Sequence, residues 1–264
     1  MFKIQTFKKE SKFFLFMKHE LRITILLLSL FVIANLIGLY VINKFITELP
    51  YNIERPEVNK DISYLPIFVS ILVVTVIFLV LVKFRAKFLW RLWFFLSILF
   101  TLSVAFSAFI NQSVAFFIAL VLAFFKVIYR NLYVHNLTEL FIYGGLATIF
   151  VPIFNLFSIS LLLILISIYD FIAVFKTKHM IKLAKYQAEE IKIFAGFYIP
   201  YAKKNQAILG GGDVGFPLIF AGVVLNNSNL ISALIVVLFV SLALLGLMLF
   251  GKEKKFYPAM PFLT

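Results

Sequence analysis

The chain has 264 residues, 63% of them hydrophobic and only 14% charged, with a mean hydropathy of +1.04. A soluble domain is usually about 45–50% apolar, so that class is excluded. Cysteine is absent, which removes disulfides, thiol nucleophiles and thiolate metal sites. His19, His135 and His179 are far apart, no H-E-x-x-H pair exists, and no glycine is followed two residues on by serine. No metal site or cofactor is expected. A net charge of +13 in so apolar a chain marks membrane topology rather than nucleic acid.

The first segment, 1–22, carries six Lys/Arg against two Glu, with Phe2, Ile4, Phe7, Phe13, Phe14 and Phe16 interleaved. It reads as an interfacial helix, with a partner-binding arm as the alternative. The apolar run after it is too long for a signal-peptide core and lacks a small-x-small cleavage site. A helix crosses roughly 30 Å of hydrocarbon with about 20 residues. Ile23–Ile42 and Ile62–Val82 each fit one span. Leu92–Ile128 is broken by Asn111-Gln112-Ser113, Thr138–Phe175 by Pro152 and Asn155, and Ala207–Phe250 by Asn226-Asn227-Ser228-Asn229. Each of these reads as a tight helical hairpin, which makes eight spans, and Phe256–Thr264 is a ninth apolar piece. The expected fold is an all-α polytopic membrane bundle of nine segments, the last one short. Its parts are the basic segment 1–22, the first five helices over 23–157, and a C-terminal half over 158–264 with a loop at 176–206.

The basic segments are 1–22, 83–91, 126–137, 176–206 and 251–255, and they fall on one side at every alternation. The positive-inside rule then places the N-terminus in the cytoplasm and the C-terminus outside the cell membrane.

Of three aspartates, Asp61 lies just outside a span, whereas Asp170 and Asp213 lie within apolar surroundings. A carboxylate in a spanning helix costs several kcal/mol on insertion scales and marks a functional site by default. A lone one could be a protonated Asp bonded to a neighbouring helix, but these two share a depth. Asp170 lies roughly 9 Å before the helix end at Lys176, and Asp213 at most roughly 13 Å after Lys204. Their spans are consecutive and antiparallel, so the carboxyls can face each other. In a low-dielectric site such a pair shares one proton. The carboxylate can then take a proton from water while the acid polarises a peptide carbonyl, as in aspartic proteolysis. Gly210, Gly211 and Gly212 are expected to open the span as irregular backbone. Pro258-Ala259-Met260-Pro261, on the same side, would leave backbone groups free to line the site.

Tyr169-Asp170, Gly210-x-Gly212-Asp213 and Pro258-Ala259-Met260-Pro261, in this order and within a nine-segment plan, resemble the three signatures of the presenilin and signal peptide peptidase family. Lys176-Thr177-Lys178-His179-Met180 resembles its archaeal presenilin homologues. The resemblance covers essentially the whole chain. It implies a GxGD-type intramembrane aspartyl protease with Asp170 and Asp213 as catalytic pair. Tyr169, the three glycines and the proline-rich tetrapeptide would shape the site and receive substrate. The partners it implies are spanning-helix substrates and membrane lipid. Two departures stand out: Gly211 occupies a position where the family commonly has leucine, and Phe256–Thr264 would reach only about 13 Å as a helix.

Other residues carry blander expectations. Glu139 should snorkel to the cytoplasmic interface, Gly144-Gly145 should permit close helix packing, and His179 should be solvated or lipid-facing. Met180–Ile193 reads as an interfacial helix, with substrate gating as the sharper alternative. A proton-coupled transporter would also use paired membrane carboxylates, but no internal repeat is visible. A catalytically silent scaffold is the third reading.

Overall fold

The structure, a computed structural model, describes residues 21–264 apart from 56, 130, 178, 181–182, 184–185, 188–192, 202–204 and 252–256. Nearly all of the 1–22 segment and most of Met180–Ile193 therefore lie outside the described residues. Among those described, nine α-helices follow one another: α1 (Leu21–Lys44), α2 (Tyr64–Lys83), α3 (Lys87–Ser107), α4 (Gln112–Phe124), α5 (Leu132–Phe150), α6 (Leu156–Phe171), α7 (Gly211–Asn227), α8 (Leu230–Phe250) and α9 (Met260–Leu263). Seven of the helical segments are long and apolar enough to cross a membrane. α7, with 17 residues, would reach about 26 Å. The protein is an integral, multi-pass membrane protein with the expected succession of helices.

The three long apolar runs break where polar residues can replace helical hydrogen bonds. Asn111 accepts from the Ser113 N–H and caps α4, and Asn229 accepts from the Ser232 N–H and caps α8. Asn155 and Ser158 cap α6 reciprocally, each side chain bonding the other's backbone. In hydrocarbon the first amides of a helix have no water to turn to, so these caps decide where a turn can be made.

One part of the expected pattern is corrected. Ala207–Gly210 does not continue a helical hairpin. Gly196–Tyr201 (β1) and Asn205–Gly210 (β2) form an antiparallel two-stranded hairpin with Gly196 opposite Gly210 and Tyr201 opposite Asn205. Gly210 is extended, while Gly211 and Gly212 already belong to the first turn of α7, so the irregular stretch expected there shrinks to one residue. Gly196 has φ +137°, and a Cβ there would run into the Leu209 carbonyl, so the pairing requires glycine.

α1 is the central helix. Its buried side chains Leu27, Phe31, Ala34, Leu39 and Ile42 recur at helical spacing and face α5, α7 and α8. Glycines let these backbones approach. A Cβ on Gly144 of α5 would stand 3.0 Å from the Gly38 Cα of α1. A Cβ on Gly38 would strike Leu218 of α7, and one on Gly145 would strike the Thr101 carbonyl of α3. Gly144-Gly145 thus serves close packing, the usual means of helix association in lipid, where apolar burial supplies no drive. α2 has no buried residue and lies at the periphery, beside α6 and α3.

Gly145→Val should therefore destabilise the bundle by about 1–3 kcal/mol, because its target is an unyielding backbone carbonyl. Gly246→Ala, where nothing lies within 4 Å of the added carbon, should change little. Thermal unfolding of both variants in detergent checks this, and equal melting temperatures would contradict the packing described.

Candidate active site

Asp170 is the penultimate residue of α6, and only 6% of its surface is exposed. Its carboxylate accepts a hydrogen bond from the Met260 N–H, Oδ2 to N 3.2 Å, and the Ala259 backbone adds a second donor. Those amides are available because Pro258 and Pro261 flank the start of α9, whose single turn packs on α6. Ser167, one turn before Asp170, bonds the Thr264 hydroxyl at 2.7 Å. Thr264 therefore packs against the C-terminal half of α6.

Asp213 sits in the first turn of α7, half-buried. Its Oδ2 lies 2.9 Å from where a Cβ on Gly210 would stand, so glycine at 210 makes room for the carboxylate. α6 packs against α7, and α9 touches both. The C-terminal end of α6, the N-terminal end of α7, the Pro258–Pro261 stretch and the hairpin thus gather at one end of the bundle. Among the described residues no group of three or more His, Asp or Glu converges as metal ligands would.

Tyr169, next to Asp170 in sequence, turns about 100° away around the helix. Its hydroxyl lies 2.8 Å from His179 Nε2 and 3.4 Å from Thr75 of α2, and its ring meets Phe68 edge-on. It braces α6 against α2. His179, expected to be solvated or lipid-facing, is half-buried and has its Nδ1 2.6 Å from the exposed Thr177 hydroxyl.

Glu139 is corrected more strongly. It does not snorkel: it is 2% exposed, and its Oε1 lies 2.5 Å from the Nζ of Lys126, itself 3% exposed. Lys126 is in the π-turn Phe125–Tyr129 that extends α4, so the expected basic segment 126–137 loses this charge to the interior. Tyr143 donates to the same carboxylate. The sequence analysis did not pair these two, although a shared depth on consecutive antiparallel spans is the same kind of signal that paired the aspartates.

A family model described as signal-peptide peptidase, presenilin aspartyl protease matches residues 28–208, about two thirds of the sequence. The chain belongs to this family. It is an intramembrane aspartyl protease, a peptide hydrolase of membrane proteins. The matched region includes Asp170 and ends just before the glycine run. Two solved structures of a presenilin family intramembrane aspartate protease share the fold. One, in a C222 space group, has a TM-score of 0.65 at 20% identity, over 91% of this chain and 93% of the other. The second, in a P2 space group, has a TM-score of 0.59 at 20% identity, over 89% and 91%. No curated protein matches the chain by sequence.

Burial lowers the pKa of His179 from its ordinary 6.5, so the folded protease favours neutral imidazole. The unfolded chain binds the extra proton more readily. The contribution is complete above 6.5 and is lost as pH falls from there through the lowered folded value. Wild type should exceed His179→Gln in melting temperature at neutral pH, and the gap should narrow as pH falls below about 6. A gap independent of pH would remove His179 from the brace.

Proposed function

We propose that Asp170 and Asp213 are the catalytic pair and that the Gly210–Gly212 and Pro258–Pro261 segments shape their site. The observation that carries this is the gathering of α6, α7 and the Met260 amide around one end of the bundle, where Asp170 is held by backbone donors and Asp213 lies over Gly210. One carboxylate takes a proton from water, whose oxygen attacks the scissile carbonyl carbon. The other, as the acid, donates to the carbonyl oxygen, and collapse of the tetrahedral intermediate expels the amine with a proton returned from the pair. At any moment the pair shares one proton, so the rate should follow a bell in pH whose limbs belong to the two groups jointly.

The substrate is the spanning helix of another membrane protein, and it has to unwind locally before water can reach a peptide carbonyl. Its freed amides need partners in place of water. The outer edge of β2, from Gln206 to Gly210, supports the reading that an unwound substrate adds as a further strand, since β1 already takes the other edge. The N-terminus is cytoplasmic and the hairpin end of the bundle faces the cytoplasm, in line with the Lys and Arg of 176–206. Lipid surrounds the exposed apolar faces, most completely that of α2.

Asp170→Asn and Asp213→Asn should each lower turnover of a spanning-helix substrate by at least about 1,000-fold, as removal of one member of a catalytic unit does. Asp61→Asn, an exposed partner of Asn155, should stay within about twofold. An active single variant at either membrane aspartate would sink the assignment.

Cuts should fall in the cytoplasmic half of the substrate helix, and substrates with an external N-terminus and spans weakened by Gly, Pro or polar residues should be preferred. Mass spectrometry of products from one substrate presented in both orientations checks this. Equal cleavage both ways, or cuts near the external face, would refute the orientation.

A further inference from the structure

Proteolysis by the pair makes no use of the buried charges Lys126 and Glu139. Lys126 Nζ donates to Glu139 Oε1 at 2.5 Å and to the Thr138 hydroxyl at 3.0 Å. A buried ion pair is poor evidence of a stabilising role, because an apolar pair of similar shape often serves as well. The second carboxylate oxygen faces elsewhere. Glu139 Oε2 accepts from the Tyr143 hydroxyl and from the Gly196 N–H, the latter at 3.2 Å.

Gly196 is the residue where the hairpin begins, and its other bonds fix it further. His135 Nε2 lies 2.8 Å from the Gly196 carbonyl, and a carbonyl can only accept, so that nitrogen carries the proton. Asn136 pairs with Tyr198 in both directions, donating to its carbonyl at 2.8 Å and accepting from its N–H at 3.0 Å. The α5 side chains thus take the place of a neighbouring strand along β1. From there the chain of contacts runs to the candidate catalytic residue. Ala195 accepts from the Gly211 N–H at 3.0 Å, Gly196 pairs with Gly210, and Asp213 lies over Gly210. The Tyr143 hydroxyl stands 3.2 Å from where a Cβ on Gly211 would be, occupying space beside the first turn of α7. A side chain at 211 would require this hydroxyl or the Ala195 carbonyl, 3.3 Å away, to give by a few tenths of an ångström.

We propose that Glu139, with its charge balanced by Lys126, is a positioning residue: its Oε2 holds the Gly196 amide and the Tyr143 hydroxyl, and so sets the height of the hairpin and of the α7 N-terminus against α5. The proposal rests on the reading of Asp213 and the β2 edge given above. The part that matters is the acceptor oxygen toward Gly196, not the charge.

Two double variants separate these. Lys126→Met with Glu139→Gln removes both charges but keeps a carbonyl oxygen for Gly196 and Tyr143. Lys126→Met with Glu139→Leu removes the acceptor as well. Hydrogen exchange of the 193–201 segment is read on each, together with KM and the positions of cleavage in a spanning-helix substrate. The Gln double should resemble wild type. The Leu double should exchange about tenfold faster and show KM raised about tenfold with cuts spread over neighbouring bonds, the factor one ordinary hydrogen bond is worth. Glu139→Met, whose unbranched chain fills irregular gaps, replaces Glu139→Leu if that variant does not fold. Doubles alike in exchange, KM and cut sites would overturn the proposal, since a merely structural ion pair would lower the melting temperature of both and move neither KM nor register. If wild type cleaves nothing, the proteolytic assignment fails while the exchange comparison still decides the hold on Gly196.

Discussion

A backbone amide that leaves a helix inside a membrane protein has no water to turn to, and several kcal/mol are lost for each one unpaired. Most of this structure follows from that demand. Four helices begin where an asparagine side chain takes over the first amides, at Asn111, Asn131, Asn155 and Asn229. The hairpin Gly196–Gly210 is tolerated at the end of the bundle because one edge of β1 is paired to β2 and the other to the side chains of His135, Asn136 and Glu139. The remaining edge, along β2, is the one we propose receives an unwound substrate.

Close approach is the second demand, and glycine meets it at the centre of the bundle. Gly38 lies where α1, α5 and α7 meet, and Gly145 presses α5 onto α3. With these contacts fixed, α7 stands beside α1 and α6, with Asp213 in its first turn. α9 completes that end by giving its opening amides to Asp170. The site therefore depends on four chain segments that are far apart in sequence but share one end of the bundle.

Much of this was legible beforehand in particular residues. The three polar interruptions marked the turns, because a capping side chain takes over amides that hydrocarbon would leave unpaired. Asp170 and Asp213 stood out since a carboxylate among apolar residues is costly to insert, and Pro258–Pro261 did so because prolines leave backbone donors unspent. Glu139 was misjudged, and the side-chain partners of Tyr169 and His179 were not foreseen. Tyr169 and His179 find each other across a π-turn, and Glu139 finds Lys126 from the next helix. The strands were missed because Ala207-Ile208-Leu209 is as apolar as the helix it precedes, and a short apolar run has no period of its own.

Composition, polar breaks and charge alternation by themselves determined that the chain is a multi-pass bundle, where its long apolar runs break and that Asp170 and Asp213 stand out among apolar neighbours. Each of these is a transfer free energy that a residue carries wherever its neighbours lie. Only the tertiary structure decided that 196–210 is a hairpin, that Lys126 and Glu139 are interior partners, and that Gly211 leaves room for Tyr143. Those outcomes depend on which side chains meet across helices, and a two-stranded hairpin is marginal without a surface to complete its hydrogen bonds.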